Sequence, residues 1–268
     1  RIAEGERVMQ AERAAHADGS WDSARAAIRA SPRYAGLELR PEQGLVPLGP
    51  DPRSGLHEFW HVATGARPVP DPAPGAESRW LLDDETGLVF VLIPGGTYRL
   101  GAQRADPAAA HHDPQARDDE APHEVEVWPF FLSKYELTLA QWQRATGRMP
   151  AVGYGPNWPA CDVTWSECAE LLHRNGLVFP SEAQWEAAAR GGTTTPWWSG
   201  TSTGSLAGCA NLADRTTQAE YGRLPWLFTA ELVDPWPKLA PVDAVCANPF
   251  GLFHVAGNVI EWCADPYL

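Results

Sequence analysis

The stretch that decides the fold is "APVDAVCANPFGLFHVAGNVIEW", Ala240–Trp262. It is rich in apolar and aromatic residues, but it shows no sustained spacing of a strand or a helix. The same irregularity extends from Thr193 to the end of the chain. A segment of that length without regular structure is usually functional or ordered by a ligand. We therefore predict a turn at Gly257 and a buried Trp262 that holds the segment in place.

The composition of the whole chain favours the same kind of fold. Its 268 residues are 44% apolar, enough to bury one large domain with an extension. The 13 Trp, 24 Gly and 25 Pro predict a compact, loop-rich structure that is fixed by buried aromatics rather than by long helices.

The charge of the chain narrows the choice of partners. A formal net charge of -13 and an isoelectric point near 5.0 argue against a nucleic-acid partner, because Lys and Arg clusters supply most of that affinity. Divalent cations and basic peptides fit better. Since no apolar run reaches the length of a membrane helix, we also predict no membrane contact.

The five cysteines form no pair with metal-finger spacing, and an odd number cannot close into a complete disulfide framework. We therefore predict free thiols that are mostly buried as small apolar side chains. This favours a reducing compartment, and so a cytoplasmic protein. The cysteines are Cys161, Cys168, Cys209, Cys246 and Cys263.

Three regions follow one another along the chain. Residues 1–30, rich in Ala, Arg and Glu, predict a helical connector with a break at Gly19-Ser20. Residues 31–86 are dense in Pro and Gly and predict a lead-in of turns and short strands packed on the domain that follows. In that domain, residues 87–268, the run from Gly87 to Ala102 predicts two strands joined by a turn.

Three helices are predicted by one repeated signal, a hydroxyl N-cap followed three residues later by Glu or Gln. Each predicted helix ends at a glycine. The capping pairs are Thr138 with Gln141, Thr164 with Glu167 and Ser181 with Gln184, and the glycines are Gly147, Gly176 and Gly191.

The segment "GLHEFWHVATG", Gly55–Gly65, contains His57, Glu58 and His61 in the spacing of a helical zinc site. Glycines leave room for only about ten helical residues there, which is marginal for a helix. We favour an accidental match, with Phe59 and Trp60 packed inward and both histidines partly exposed, and keep a zinc metalloprotease as the alternative.

A second group of residues contains His111, His112, Asp113 and His123 beside several acidic side chains. Such a group offers ligands for a metal. We favour an acidic surface loop that leads into a strand from His123 to Val127.

Read in order, several segments resemble one family. They are "VLIPGGTYRLGA", "DDEAPHEVEVWPFFLSKYELTLAQW", "VTWSECAELL", "LVFPSEAQWEAAARGG", "ANLAD", the stretch quoted first, and "CADPY". Over roughly residues 88–268 the chain resembles the formylglycine-generating enzyme, or sulfatase-modifying-factor, domain. The residues before it resemble the connector found where such a domain is appended to bacterial serine/threonine kinases.

The resemblance implies an α+β fold with little regular secondary structure, related to C-type lectins and carrying structural calcium at two loops. Carbonyl oxygens of irregular loops need such partners, and calcium accepts them well. The implied first site has the side chains of Asn211 and Asp234 and the carbonyls of Leu212 and Trp236. The implied second site has the carbonyls of Gly257 and Val259 and the carboxylate of Glu261. His254 stands where the family usually has Asn or Asp, which weakens the second site because imidazole is a poor calcium ligand.

The resemblance also implies an activity that the visible residues do not carry. The family's copper(I)-binding cysteines lie beyond the "GNVIEW" segment, so we expect them past Leu268 and treat the domain as C-terminally incomplete. We predict a non-catalytic recognition or regulatory module of a larger bacterial signalling protein, binding a peptide or protein partner. The alternative is a copper-dependent formylglycine-generating oxidase that acts on a protein cysteine. The sequence does not indicate the oligomeric state.

Overall fold

The computed structural model describes residues 2–76, 78–150, 153–222, 229 and 231–266. The chain divides into two compact units. The sheet unit comprises Arg1–Gly95 and Trp128–Val178, and the loop unit comprises Gly96–Val127 and Phe179–Leu268. The predicted sequence boundaries after Ala30 and after Thr86 stay predictions.

Helices and strands of both units are short apart from the first helix. In chain order they are α1 (Ile2–Ala17), α2 (Ser20–Ala30), β1 (Leu45–Pro50), β2 (His57–His61), β3 (Val69–Pro70), β4 (Trp80–Leu81), β5 (Val89–Ile93), β6 (Gly96–Leu100), β7 (His123–Val127), β8 (Phe130–Ser133), α3 (Leu139–Thr146), α4 (Trp165–Arg174), α5 (Glu182–Arg190) and α6 (Arg215–Tyr221). The predicted mixture of helix and strand is confirmed, and so is the helical N-terminal region with its break at Gly19-Ser20.

The sheet unit is built on a four-stranded antiparallel sheet in the order β1-β2-β5-β8. Two of its strands come from the lead-in region, where short strands were predicted. The sequence of β5, "VFVLI", is β-branched and aromatic and is buried along its whole length. Phe59 of β2 lies opposite Phe90 of β5, and Leu92 of β5 lies opposite Phe131 of β8.

Helix α2 packs its apolar face on this sheet. Trp21 and Ile28 are buried, and the ring centroids of Trp21 and Phe59 are 5.5 Å apart. Tyr34, just after α2, donates its hydroxyl to the Leu92 carbonyl at 2.9 Å. The helical connector is therefore part of the core of the sheet unit, because its spaced apolar residues cover one face of the sheet.

The H-E-x-x-H motif lies in β2 and not in a helix. Side chains alternate between the faces of a strand, so Glu58 points away from the side of His57 and His61. A rise of about 3.3 Å per residue separates the two histidines by roughly 13 Å, too far for one ion. The zinc alternative therefore has no geometric support.

The predicted environment of this motif is partly confirmed. Phe59 and Trp60 are buried as predicted, but the prediction of partly exposed histidines is wrong because both are buried. β2 is an inner strand of the sheet and is buried along its whole length. The ring of His61 lies 6.1 Å from that of Phe90, and burial lowers its pKa to about 4.

Glu58 belongs to a buried ionic cluster within the sheet unit. The Lys134 ammonium contacts the Glu58 carboxylate and lies 3.4 Å from an oxygen of Asp51. Trp80 donates its indole N–H to Glu58 at 2.8 Å, and the Ser54 amide donates to Asp51 at 2.7 Å. One ammonium thus neutralises part of the charge of two buried carboxylates, and the added hydrogen bonds offset their desolvation.

The three predicted capping boxes are confirmed at the starts of α3, α4 and α5. At α3, the Gln141 amide donates to the Thr138 hydroxyl at 3.1 Å, while the Gln141 side chain accepts from the Thr138 amide at 3.0 Å. Gly147 and Gly191 end their helices with positive φ, and Gly176 follows the C-cap of α4 in the same conformation.

The described residues of the loop unit form one pair of antiparallel strands, β6 with β7, and two of the helices, α5 and α6. The two strands predicted in Gly87–Ala102 are confirmed as β5 and β6, and the strand from His123 to Val127 is confirmed as β7. From Thr193 onward the described chain is irregular except for α6 and a short 3-10 turn, Thr203–Leu206.

A disulfide joins Cys209 and Cys246 in the loop unit. The prediction that these two cysteines are free is wrong, whereas Cys161, Cys168 and Cys263 lie outside the disulfide and are each partly exposed. The bonded pair is 37 residues apart, so no short spacing reveals it. A structural disulfide is typical of oxidising compartments, which weighs against the cytoplasmic prediction. Within the described ranges, no helix combines the length and the apolar character needed to cross a membrane.

Replacing Lys134 by methionine should lower the free energy of unfolding by about 3–5 kcal/mol, because it leaves two buried carboxylates without their counter-ion. Urea unfolding measures this loss. The control is Arg174→Met, which removes an exposed contact to Glu170 and should cost less than about 1 kcal/mol. Equal losses in the two variants would show that removing the buried counter-ion costs no more stability than removing an exposed one.

Candidate functional site

Asn211 lies at the centre of the irregular part of the loop unit and is 3% exposed. Its side-chain amide donates to the carbonyl of Lys238 at 3.0 Å and to Oδ1 of Asn258 at 2.9 Å. Its own carbonyl accepts the amide of Asn258 at 2.8 Å. These bonds, which we call the Asn211–Asn258 bridge, tie three segments that are distant in sequence.

Asn258 also binds the main chain close to Lys238. Its Oδ1 also accepts the Ala240 amide at 2.9 Å, and its Nδ2 donates to the Ala240 carbonyl at 3.2 Å. Asn258 has φ of 63°, a left-handed conformation that asparagine tolerates better than most residues.

Gly257 is required by the bridge. Its φ is 96°, and a Cβ atom there would overlap the carbonyl oxygen of Asn211. Only glycine fits both the conformation and the close approach. Gly257 has the positive φ that suits the predicted turn, but it forms an isolated β-bridge with Asn211.

Asp234 lies beside this bridge and organises the first predicted loop site. Its carboxylate accepts the Leu212 amide at 3.3 Å and the Trp236 amide at 2.8 Å. The structure therefore brings the segments of Asn211 and Asp234 together, as the resemblance implies.

Asp214 supports Asp234 from behind. One of its oxygens accepts the Asp234 amide at 2.6 Å, and the other caps α6 by accepting the amides of Thr216 and Thr217. Asp214 is fully buried. Burial raises the pKa of the Asp234 carboxyl, and the charge of Asp214 raises it further.

Oxygen atoms are left without hydrogen-bond donors at this place. No described residue donates to the carbonyls of Leu212 or Trp236. Both hydrogen bonds that the Asn211 side chain makes with the described part of the chain use its amide nitrogen. Carboxylate, amide and carbonyl oxygens suit a hard divalent cation such as calcium.

Oxygen donors from the main chain are essential to any such site. The described residues contain no group of three His, Cys, Asp or Glu side chains placed to hold a metal. Among the described residues that act on the Asp234 carboxyl none is a cation, and two backbone amides donate to it. The donor set fits the first site that the resemblance implies.

The second predicted loop runs along the first turn of α5. Glu261 accepts the indole N–H of Trp185 at 2.7 Å. The Ala264 amide donates to the Pro180 carbonyl at 2.9 Å, and Asp265 accepts the Glu182 amide at 2.6 Å. These bonds fix the segment by its backbone and polar side chains.

The apolar side chains of this segment face outward. Ile260 is 96% exposed and Trp262 is 47% exposed. The prediction of a buried Trp262 is wrong, because hydrogen bonds and not indole burial hold the segment. The carbonyls of Gly257 and Val259 accept no hydrogen bond from the described residues.

His254 differs from the other residues of the second loop because it is 2% exposed and has φ of 52°. Burial lowers its pKa to about 4, so the ring is neutral at pH 7. Its Nε2 lies 2.9 Å from the carbonyl of Pro241, and the neutral ring therefore donates from Nε2. Its Nδ1 has no partner among the described residues.

The other candidate metal group, around His111, does not converge. His111 is buried, whereas His123 lies in β7 and its Nδ1 is 3.0 Å from the Ala121 carbonyl. The sequence leaves His112 and Asp113 beside His111, but the described residues place no three ligands around a common point.

Asp214, Asn258 and the disulfide were not singled out from the sequence. Asp214 has a readable signal, since it caps α6 with Thr217 three residues later. Asn258 has none, because a bridging asparagine is not distinguished from a turn asparagine until its partner is known.

Comparison with known proteins places this geometry in context. The family described as "Sulfatase-modifying factor enzyme 1-like domain" matches residues 83–268. The formylglycine-generating enzyme of Thermomonospora curvata is 29% identical over 233 residues, which is 66% of this chain and 71% of that protein.

A second relative has a different architecture. The serine/threonine-protein kinase pkn1 of Chlamydia caviae is 26% identical over 205 residues, which is 66% of this chain but 28% of the kinase. The chain thus spans under a third of the kinase that it matches.

Among solved structures, PvdO from Pseudomonas aeruginosa superimposes with a TM-score of 0.53 at 23% identity, covering 70% of this chain and 73% of that one. At this identity the similarity concerns the fold alone.

Proposed function

Because the chain belongs to the family of sulfatase-modifying factor enzyme 1-like domains, we propose that it is a recognition and regulatory module of a larger bacterial signalling protein. In this proposal it is not a catalyst, and it binds a peptide or protein partner. The relation of its fold to C-type lectins, which the resemblance implies, is part of the same proposal.

The observation that carries the proposal is the outward face of the loop unit. Ile260 and Trp262 are exposed on a segment whose backbone is hydrogen-bonded on both sides of them, at Asn258 to Asn211 and at Ala264 to Pro180. A preorganised aromatic side chain loses little conformational entropy on binding, and Trp is enriched among the residues that dominate interface affinity. A rigid loop that presents such side chains suits partner binding.

The relative of kinase type supports the regulatory part of the proposal. Its similarity to this chain covers 28% of its length, so a region of this kind accompanies further sequence in that protein. We transfer from it only the arrangement of a domain of this type within a larger protein.

We further propose that the first loop site holds a structural calcium ion, ligated by Asn211, Asp234 and the carbonyls of Leu212 and Trp236. The carbonyls that have no donor among the described residues, and the Asp234 carboxylate that no described cation faces, support it. When bound, the ion would supply positive charge to loop oxygens that lack hydrogen-bond donors. The residues themselves orient the loops through the Asn211–Asn258 bridge.

The copper-dependent oxidase is the second candidate, favoured by the 29% identity to the formylglycine-generating enzyme of Thermomonospora curvata. It would convert a cysteine of a test peptide to formylglycine in the presence of copper(I) and oxygen. An aldehyde-reactive probe detects that product. Aldehyde formation by the protein would show that it is an oxidase and would contradict the proposal of a non-catalytic module.

Partner recognition is tested by selecting binders to the 268-residue chain from a random-peptide phage library. We expect selected peptides to lose at least about tenfold in affinity, roughly 1.4 kcal/mol, towards the double variant Ile260→Ser/Trp262→Ser. Fluorescence polarisation with synthetic peptides measures the affinity. The matched control is Trp128→Ser, which alters a 77% exposed Trp of the sheet unit. Absence of enriched peptides, or equal losses in both variants, would contradict the proposed face.

The calcium proposal is tested with Asp234→Asn, which removes the charge and keeps an oxygen acceptor. In calcium, we expect a melting temperature several degrees below that of the unaltered protein, whereas in chelator the difference should be small. Differential scanning calorimetry measures both. Asp113→Asn serves as the control and should behave like the unaltered protein. A loss for Asp234→Asn that is the same with and without calcium would refute a cation at Asp234.

A further inference from the structure

His254 is the residue at which the second loop departs from a cation site. Two carbonyls, those of Gly257 and Val259, are left without donors from the described residues, and Glu261 supplies a carboxylate. The residue that the resemblance places beside these ligands is His254, an imidazole whose Nε2–H donates to the Pro241 carbonyl at 2.9 Å. The Nε2–H is thus directed at an oxygen outside the implied ligand set.

We propose that His254 abolishes the second cation site, so that the chain binds one calcium ion and not two. The second loop is then held by a direct hydrogen bond between His254 and Pro241. The one ion in this inference is the calcium ion of the first loop site, so the inference rests on the proposed function.

The backbone at His254 supports the proposal because it suits a different residue. Its φ of 52° lies in the left-handed region, which is uncommon for histidine and best tolerated by Asn and Asp among residues with a side chain. Those two residues also supply the oxygen ligand that imidazole lacks. The backbone at this position therefore suits a residue with a side-chain oxygen ligand, although the residue present is a histidine.

The chemistry of the ring supports the exchange as well. Calcium prefers oxygen, and imidazole favours softer metals. The ring is buried with its Nδ1 unpartnered among the described residues. A buried, neutral side chain bonded to the main chain stabilises the loop at any calcium concentration, whereas a cation site would make its stability depend on calcium.

The test is a gain of binding in His254→Asn. Equilibrium dialysis at saturating calcium should give one ion per chain for the unaltered protein and two for His254→Asn. Calcium should also raise the melting temperature of the variant by several degrees more than that of the unaltered protein. If His254→Asn fails to fold, His254→Asp provides the same oxygen ligand with the same tolerance of the backbone.

A matched control is available within the same unit. His111 is also buried, also has positive φ, 61°, and also has an Nδ1 without a described partner. His111→Asn should leave the count at one ion. A second ion in this control would show that any buried histidine replaced by Asn creates a calcium site, and would overturn the assignment to His254.

The outcomes separate this inference from the calcium proposal. Two ions in the unaltered protein, or no increase in His254→Asn, overturn the inference. No ion in the unaltered protein but one in His254→Asn supports the inference and overturns the first calcium site. Zinc bound by the unaltered protein and lost in His254→Asn would overturn the inference, because the ring would then be a metal ligand and not a substitute.

Discussion

The Asn211–Asn258 bridge is the constraint on which the loop unit depends. Two asparagine side chains with complementary donors and acceptors connect the main chain near Asn211, Lys238, Ala240 and Asn258. Each buried hydrogen bond contributes only about 0.5–1.5 kcal/mol net, but leaving one of these buried groups unpaired costs more. Matching donors and acceptors therefore hold the irregular segments together. Gly257 is required beside Asn258 because its backbone lies against the carbonyl of Asn211.

The two units solve the same problem in different ways. The sheet unit pairs its main-chain groups in strands and buries aromatic residues such as Trp21 and Phe59 between layers. The loop unit has few strands, so side chains and a disulfide satisfy and connect its backbone. Oxygen atoms that remain unpaired there are the ones that a cation would satisfy, which is why the candidate site lies in the irregular part of the chain and not in the sheet.

The sequence predicted the features that have local signals. Capping boxes placed α3, α4 and α5 because a hydroxyl and an amide three residues apart report directly on a helix start. Strands β5, β6 and β7 were also predicted, since their residue types and turns are local. The resemblance to a family predicted that the Asn211 and Asp234 segments lie close together, because a series of motifs in the same order indicates a shared fold.

Features that depend on distant partners were missed or predicted wrongly. Both histidines of β2 are buried because side chains from other parts of the fold cover the strand, which no local spacing indicates. Cys209 and Cys246 meet across 37 residues, and Trp262 is exposed because polar bonds replace its burial. Asp214 combines both kinds of feature. Its capping pair with Thr217 has a local sequence signal, whereas its hydrogen bond to the Asp234 amide has none.

Amide hydrogen exchange of Asn258→Ala compared with the unaltered protein tests the role of the bridge most directly. The account predicts that protection falls throughout residues 206–214 and 234–248, while the amides of β2 and β5 keep theirs, because the variant removes the polar link between otherwise irregular segments. Loss of protection confined to the immediate neighbours of Asn258 would contradict the account and show that the loops are held by other means.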